Sequence, residues 1–416
     1  MRRIVASFCL LLLTLPAYSQ SNEPPKDFPF QPGNRIVWLG DSITEQYQYS
    51  TYLELYLTTR FPKAGFTFIN AGIGGDTAQG GAGRFQSHVL NEKPNVVTIN
   101  FGMNDAGYGA FNEASNKNYV NKTTAMLEAA EKAGVRVVLM SPNAVDPRIQ
   151  ERFKLYVETQ KQFYAPLREL AEKHHALFVD QYAITRAAQE KMAENDPKAA
   201  KAKPYYDGFH TAPPGGLLMA YAILTGLKAP ALVSDVTIDA KALDAQTKQC
   251  AVTKPVGNNH GVEFTRTDES LPLPVQKDWL PMLPYTDELK NLNWYGLTVK
   301  ELEVGQYVVK IDGVEVGQFS HEELARGINL GNLTTGPIHA QGQEVLNAIN
   351  AKNGMVHQRF RNVVMFQPPD WLADVAAERK TQELVKRMAA IDAAQTKINE
   401  LVQPKPRQFL VKMIQK

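Results

Sequence analysis

Four short stretches hold residues that could attack, donate to or orient a reacting group. Gly40-Asp41-Ser42 follows the apolar run Ile36–Leu39. A serine just past a buried strand, where the chain turns into a helix, stands where a nucleophile should, with backbone N–H groups near enough to face a developing negative charge. An ordinary helix-capping serine would occupy the same place. Asn70-Ala71-Gly72-Ile73-Gly74-Gly75-Asp76-Thr77 follows a second apolar run. Its glycines let a backbone N–H approach a ligand closely. A flexible loop reads the same way, whereas the dinucleotide-binding spacing fails because Thr77 stands where it requires glycine. In Gly102-Met103-Asn104-Asp105, after a third run, the Asn104 amide can donate into the same cleft or close an Asx turn. Asp207-Gly208-Phe209-His210 sets a carboxylate three residues before an imidazole. That gap lets it reach back, orient the ring and stabilise it when protonated. Taken alone, most such pairs are surface loop.

These residues need elements to position them. Short β-branched or apolar runs at Ile36–Leu39, Phe66–Ile69, Val96–Ile99, Val135–Met140 and Leu177–Val179 read as strands. Helical patterns lie near 51–60, 80–91, 115–133, 150–174 and 215–227, and Gly134 stops one of them. Strand–helix alternation predicts a parallel sheet covered by helices on both faces. A site is then expected just past the carboxyl ends of the strands. The rhythm stops after Pro230. Tyr295-x-Leu297-x-Val299, Tyr307-x-Val309-x-Ile311 and Val314-x-Val316 alternate, and Asp312-Gly313 is a hairpin signal. Residues 235–330 therefore read as a small antiparallel β domain. From Gly336 the pattern is helical: Leu384, Val385, Met388, Ile391, Ile398 and Leu401 recur at helical spacing, giving a helical region over 336–402.

The four stretches in this order resemble the block pattern of the SGNH, or GDSL-type, serine hydrolase family, over residues 35–227 of the chain. Gly40-Asp41-Ser42-Ile43-Thr44 is close to the family's first block, with Ile43 for the usual leucine; Thr211 follows His210 where proline is common. The resemblance implies a flavodoxin-like three-layer α/β/α domain over 30–230 with a five-stranded parallel sheet, followed by the smaller β-rich domain and helical tail. It implies Ser42 as nucleophile, His210 as base and Asp207 as the residue that orients it. It implies an oxyanion hole made by the N–H groups of Ser42 and Gly75 and the Asn104 side chain, with Gly75 favoured over Gly74. No cofactor or metal is implied. Aromatic residues crowd the same stretches. Their faces suit sugar rings or acyl groups, and packing accounts for them equally well. Tyr47, Tyr108 and Phe209 are the substrate-binding candidates. The run Phe264–Asp268 and Leu271–Pro274, with the later Asp312-Gly313 hairpin, is similar to a region found beside SGNH domains in some secreted bacterial proteins.

Composition bounds the rest. The chain has 416 residues, 44% of them hydrophobic, with a formal charge of +2. That excludes wholesale disorder and argues against a nucleic-acid binder held by phosphate contacts. Arg2 and Arg3, the apolar run from Ile4 to Leu15, and Ala17-Tyr18-Ser19 have the layout of a signal peptide over 1–20. The run is short for a membrane span, so no stable membrane anchor is expected after cleavage. Cleavage removes Cys9 and leaves Cys250, hence no internal disulfide. A secreted or periplasmic bacterial setting fits. The reading is a secreted serine esterase working through an acyl-enzyme, with an ester substrate and O-acetyl groups on a glycan as the leading class. An acyltransferase, a lysophospholipase or a thioesterase could use the same triad. A non-catalytic carbohydrate-binding or scaffold protein is the alternative of another class; intact Ser42, Asn104, Asp207 and His210 argue against it.

Overall fold

The computed structural model describes residues 23–414, so the signal-peptide reading over 1–20 lies outside the described residues. The first unit alternates strands and helices. In chain order these are β1 (Arg35–Gly40), α1 (Ser42–Glu45), α2 (Gln48–Arg60), β2 (Thr67–Gly72), α3 (Ala78–His88), β3 (Val96–Asn100), α4 (Met103–Ala106), α5 (Glu113–Lys132), β4 (Arg136–Met140), α6 (Lys154–Tyr164), α7 (Leu167–Lys173), β5 (Leu177–Val179), α8 (Gln181–Asn195) and α9 (Pro213–Gly226). The five strands form one parallel sheet in the order β2-β1-β3-β4-β5, the flavodoxin-like order. Alternation along β1 divides its side chains between two cores. Ile36 and Trp38 pack with α2 and α9, while Val37 and Leu39 pack with α3 and α5. Both faces are thus sealed by helices, which is why the strands read as continuous apolar runs. The chain leaves β1 in one direction to reach β2 and returns to β3 on its other side. The crevice of such a sheet opens at that reversal, past the carboxyl ends of the strands.

Two helical expectations change. The pattern over 150–174 is broken, α6 ending at Tyr164 and α7 starting after Pro166, which lacks the N–H needed to continue a helix. Helix α8 was not foreseen. Its inward side chains include Gln181, Thr185 and Gln189, which hydrogen-bond Ser141 O, Ala144 N and Ala144 O. Polar residues on the buried face blur the apolar period that betrays a helix.

The second unit holds β6 (Leu232–Asp239), β7 (Asp244–Lys248), β8 (Cys250–Val252), β9 (Val256–Asn258), β10 (Gly261–Asp268), β11 (Trp294–Lys300), β12 (Gln306–Ile311), β13 (Val314–Ser320), α10 (His321–Arg326) and β14 (Ile328–Asn329). A helix pair follows, α11 (Pro337–Arg359) and α12 (Ala373–Leu401), and then β15 (Arg407–Met413). The expected antiparallel domain over 235–330 is corrected in two ways. β6 and β11 pair in parallel. β15, from beyond the helix pair, lies between β12 and β10 and completes the larger sheet. The helix pair packs on the first unit: Val345, Leu346, Ile349 and Ile398 share one core with Leu53 and Leu57 of α2. Buried Lys352 pairs with buried Glu54, and Arg359 with Glu92 at 2.8 Å. Among the described residues no helix is long and apolar enough to cross a membrane.

Candidate active site

Ser42 stands at the first turn past β1. The turn is tight because Gly40 has no Cβ; one would lie 2.2 Å from Thr44 Oγ1 and 2.7 Å from the Asn100 carbonyl. Asp41 caps α1 by accepting the Ile43 N–H at 2.9 Å. The Ser42 hydroxyl is 2.8 Å from His210 Nε2.

His210 comes from the loop before α9. Its Nδ1 lies 2.7 Å from Asp207 Oδ2, so Nδ1–H donates to the carboxylate and Nε2 is left to accept from Ser42. Asp207 Oδ1 accepts the backbone N–H groups of Phe209 (3.2 Å) and His210 (2.9 Å). Burial works to raise the Asp207 carboxyl, but the His210 ring and these N–H groups hold it below its ordinary value. Gly208 sits at φ +103, and a Cβ there would come within 2.7 Å of the Phe153 ring. The loop is tied down from outside. Gln150 Nε2 donates to Asp207 O at 2.6 Å, and the Asp146 N–H to Gly208 O at 2.7 Å. Gln46 Oε1 accepts from both the N–H and the hydroxyl of Thr211, each at 3.1 Å. Thr211, where proline would be usual, thus supplies two anchors that proline lacks.

The three candidate oxyanion donors come from the start of α1, the glycine loop and α4. The Ser42 N–H opens a helix, where a backbone N–H has no partner within the helix. The Gly74 N–H is committed to Glu45 Oε2 at 2.6 Å. Among the described residues the Gly75 N–H has no hydrogen-bond partner, and Gly75 adopts φ +73. Asn104 Nδ2 donates one hydrogen to the Asp76 carbonyl at 2.9 Å, leaving its second available. Tyr108 O–H donates to Asn104 Oδ1 at 3.1 Å and fixes the amide's orientation. Arg84 binds the carbonyls of Gly40 (3.2 Å) and Ala71 (2.6 Å) and the carboxylate of Asp76 (2.8 Å), joining the ends of β1 and β2 to the glycine loop. Burial pushes the Asp41 carboxyl up to about 7, with Asp105 and Asp76 adding to it despite the Ile43 N–H. Burial likewise raises Asp105 to about 6.

The aromatic candidates divide. Phe209 is buried, its ring 4.2 Å from the His210 ring and 4.7 Å from that of Tyr108. Both support the reacting residues. Tyr47 is a correction: its ring packs edge-on against His357 of α11, in the seam with the helix pair, and its hydroxyl is buried. Tyr206, one of the aromatic residues that crowd the stretch before His210, lies nearly parallel to the His210 ring (5.7 Å between centroids, 11°) and is 54% exposed. Glu45, Gln46 and Arg84 carry no sequence signal: Glu45 and Gln46 because Gly74 and Thr211 are remote along the chain, Arg84 because, beside nearby Asp76, it binds backbone carbonyls that no motif marks. Among the described residues no three His, Cys, Asp or Glu side chains gather as metal ligands.

The arrangement lines up a hydroxyl, an imidazole and a carboxylate, with candidate amide donors on neighbouring turns, the parts a nucleophilic acyl transfer would need. Residues 38–215 match the GDSL-like lipase/acylhydrolase family. An acetylxylan esterase of Geobacillus stearothermophilus is 24% identical over 46% of this chain and 93% of its own. Esterase TesA of Pseudomonas aeruginosa is 29% identical over 37% of this chain and 72% of its own. The solved structure of a gut microbial diltiazem-metabolizing enzyme, 24% identical, superposes with a TM-score of 0.82 over 94% of this chain and 100% of that one. The shared fold therefore includes the β sheets and the helix pair. Residues 38–215 thus carry a domain that matches the GDSL-like lipase/acylhydrolase family, and with these esterase relatives they make the protein a carboxylic ester hydrolase.

Proposed function

We propose that the protein is an exported serine esterase that removes O-acetyl groups from a carbohydrate. The observation that carries the catalytic reading is the unbroken line from Ser42 Oγ to His210 Nε2 (2.8 Å) and from His210 Nδ1 to Asp207 Oδ2 (2.7 Å). A serine hydroxyl is a poor nucleophile until a base accepts its proton. As Ser42 Oγ bonds the acyl carbon, its proton passes to Nε2, and Asp207 stabilises the imidazolium. The oxyanion receives the N–H groups of Ser42 and Gly75 and the second Asn104 amide hydrogen. Collapse breaks the ester C–O bond, and Nε2 returns the proton to the departing alcohol. A water molecule then attacks acyl-Ser42, with His210 again as base, and releases the acid.

Two observations favour a sugar alcohol. The acetylxylan esterase is related along nearly its full length. The exposed ring of Tyr206 lies beside His210, the group that protonates the leaving alcohol, and a flat aromatic surface suits a pyranose. Export rests on the N-terminal pattern from Arg2 to Ser19. The test compares the wild type with Ser42→Ala on acetylated xylan, other acetylated glycans and an aryl acetate. Release of acetate that Ser42→Ala nearly abolishes supports the reading; equal release by both proteins refutes it. Tyr206→Ala should raise KM for acetylated xylo-oligosaccharide by about 3- to 10-fold while leaving KM for the aryl acetate unchanged. Equal effects on both substrates would remove the sugar platform.

A further inference from the structure

Glu45 stands three residues beyond Ser42, on the same short helix. Its two carboxylate oxygens do different things. Oε2 accepts the Gly74 N–H at 2.6 Å. Oε1 lies 3.4 Å from Arg361 Nη1. The helix and the end of β2, where the glycine loop begins, also meet backbone to backbone, since a Cβ on Gly72 would fall 2.4 Å from the Glu45 nitrogen.

The loop needs an anchor. Residues 73–76 form a turn closed by the Asp76 N–H to the Ile73 carbonyl at 3.2 Å. Gly75 occupies its third position at φ +73, a conformation that favours glycine. In such a turn, rotating the central peptide exchanges one turn type for another and reverses the direction of the following N–H. Two adjacent glycines offer little steric resistance to that rotation. A Gly75 N–H directed at an oxyanion therefore depends on contacts from outside the turn, and Glu45 supplies one on the neighbouring N–H.

Arg361 lies in a π-helical turn, Phe360–Val364, that ends α11. Turns of this kind recur at functional sites. The helix carrying it is pinned to the catalytic domain by Lys352 on Glu54, Asn353 on Thr51 (3.1 Å) and Arg359 on Glu92. We propose that Glu45 is a positioning residue for the Gly75 N–H and that Arg361 holds Glu45, so that the C-terminal helix pair braces the oxyanion loop. The proposal rests on the esterase reading above.

The test uses full-length Glu45→Ala, Glu45→Gln, Arg361→Ala and Arg361→Lys. It reads kcat and KM on an aryl acetate and, independently of turnover, amide hydrogen exchange over residues 71–77. Glu45→Ala should speed exchange in that segment. It should lower kcat about 10-fold or more, short of the ~10²–10³ expected for deleting a donor outright, with KM changed less than about twofold. Glu45→Gln keeps an oxygen for the Gly74 N–H and should recover most of kcat. Arg361→Ala should give a smaller fall of the same kind, and Arg361→Lys should restore it. Unchanged exchange in Glu45→Ala would overturn the clamp. Faster exchange with unchanged kcat would overturn its role in the reaction. A wild type no more active than Ser42→Ala would refute the esterase reading itself, and with it the clamp's catalytic role, while the exchange result still reports whether the clamp exists.

Discussion

The Asp41 side chain holds its proton up to about pH 7 because it is buried next to Ser42 with two other carboxylates near. The unfolded chain releases that proton near the ordinary 3.8. Between those values the unfolded state binds fewer protons, so stability falls as pH rises across the window. Asp105, raised to about 6, acts in the same direction. Asp207 is lowered and acts oppositely, its contribution being lost only as pH falls through its depressed value. Asp41→Asn keeps an oxygen for the Ile43 N–H but cannot ionise. Its Tm should therefore decline less than that of the wild type between pH 4 and 7; parallel Tm–pH curves would contradict the assignment. At this scale the sequence shows residues whose neighbours are close in the chain. Ser42 and Asn104 follow strand ends, and Asp207 and His210 are three apart. Gln46 is silent in the sequence because Thr211 lies 165 residues away, and Arg84 because, beside nearby Asp76, it holds the strand-end carbonyls of Ala71 and Gly40, which no motif marks. Tyr47 misleads because an aromatic near a nucleophile can equally fill a seam between helices.

Elements are legible where apolar periodicity survives burial. β1 and β3 are apolar because both sheet faces are covered, and their carboxyl ends lead into Ser42 and Asn104. Helix α8 escapes because its buried face spends Gln181, Thr185 and Gln189 on the loop from Ser141 to Asp146. That same loop holds Gly208 and Phe209 through Asp146 N and Asn143 Nδ2, so an element hidden by its polarity supports the His210 segment at one remove. β15 escapes for a different reason. Phe409-x-Val411-x-Met413 alternates, but its partners β10 and β12 precede a long helix pair, and strand pairing at such separation leaves no local mark.

Across the whole molecule, the chain returns on itself. It builds the catalytic domain and most of the β sheets, then runs the helix pair back over α2, and closes with β15 in the larger sheet. Phe409 is fully buried there, its ring stacked 5.3 Å from that of Phe264 and lying beneath the Arg266 guanidinium. Phe409→Ala should cost about 3–5 kcal/mol and lower the Tm of the β unit. Turnover of an aryl acetate below that temperature should be unchanged, since Phe409 touches nothing in the crevice. A wild-type Tm would mean that β15 does not complete the sheet in solution. Equal loss of turnover at low temperature would mean that the two units do not hold their structure independently.

The reading of the site turns on Ser42 as the nucleophile. Its most direct test is covalent trapping with a fluorophosphonate, read by intact mass and peptide mapping. A single adduct on Ser42 is predicted, absent in Ser42→Ala and greatly slowed in His210→Ala. No adduct, or an adduct on another residue in a protein that still hydrolyses esters as Ser42→Ala, would contradict the account.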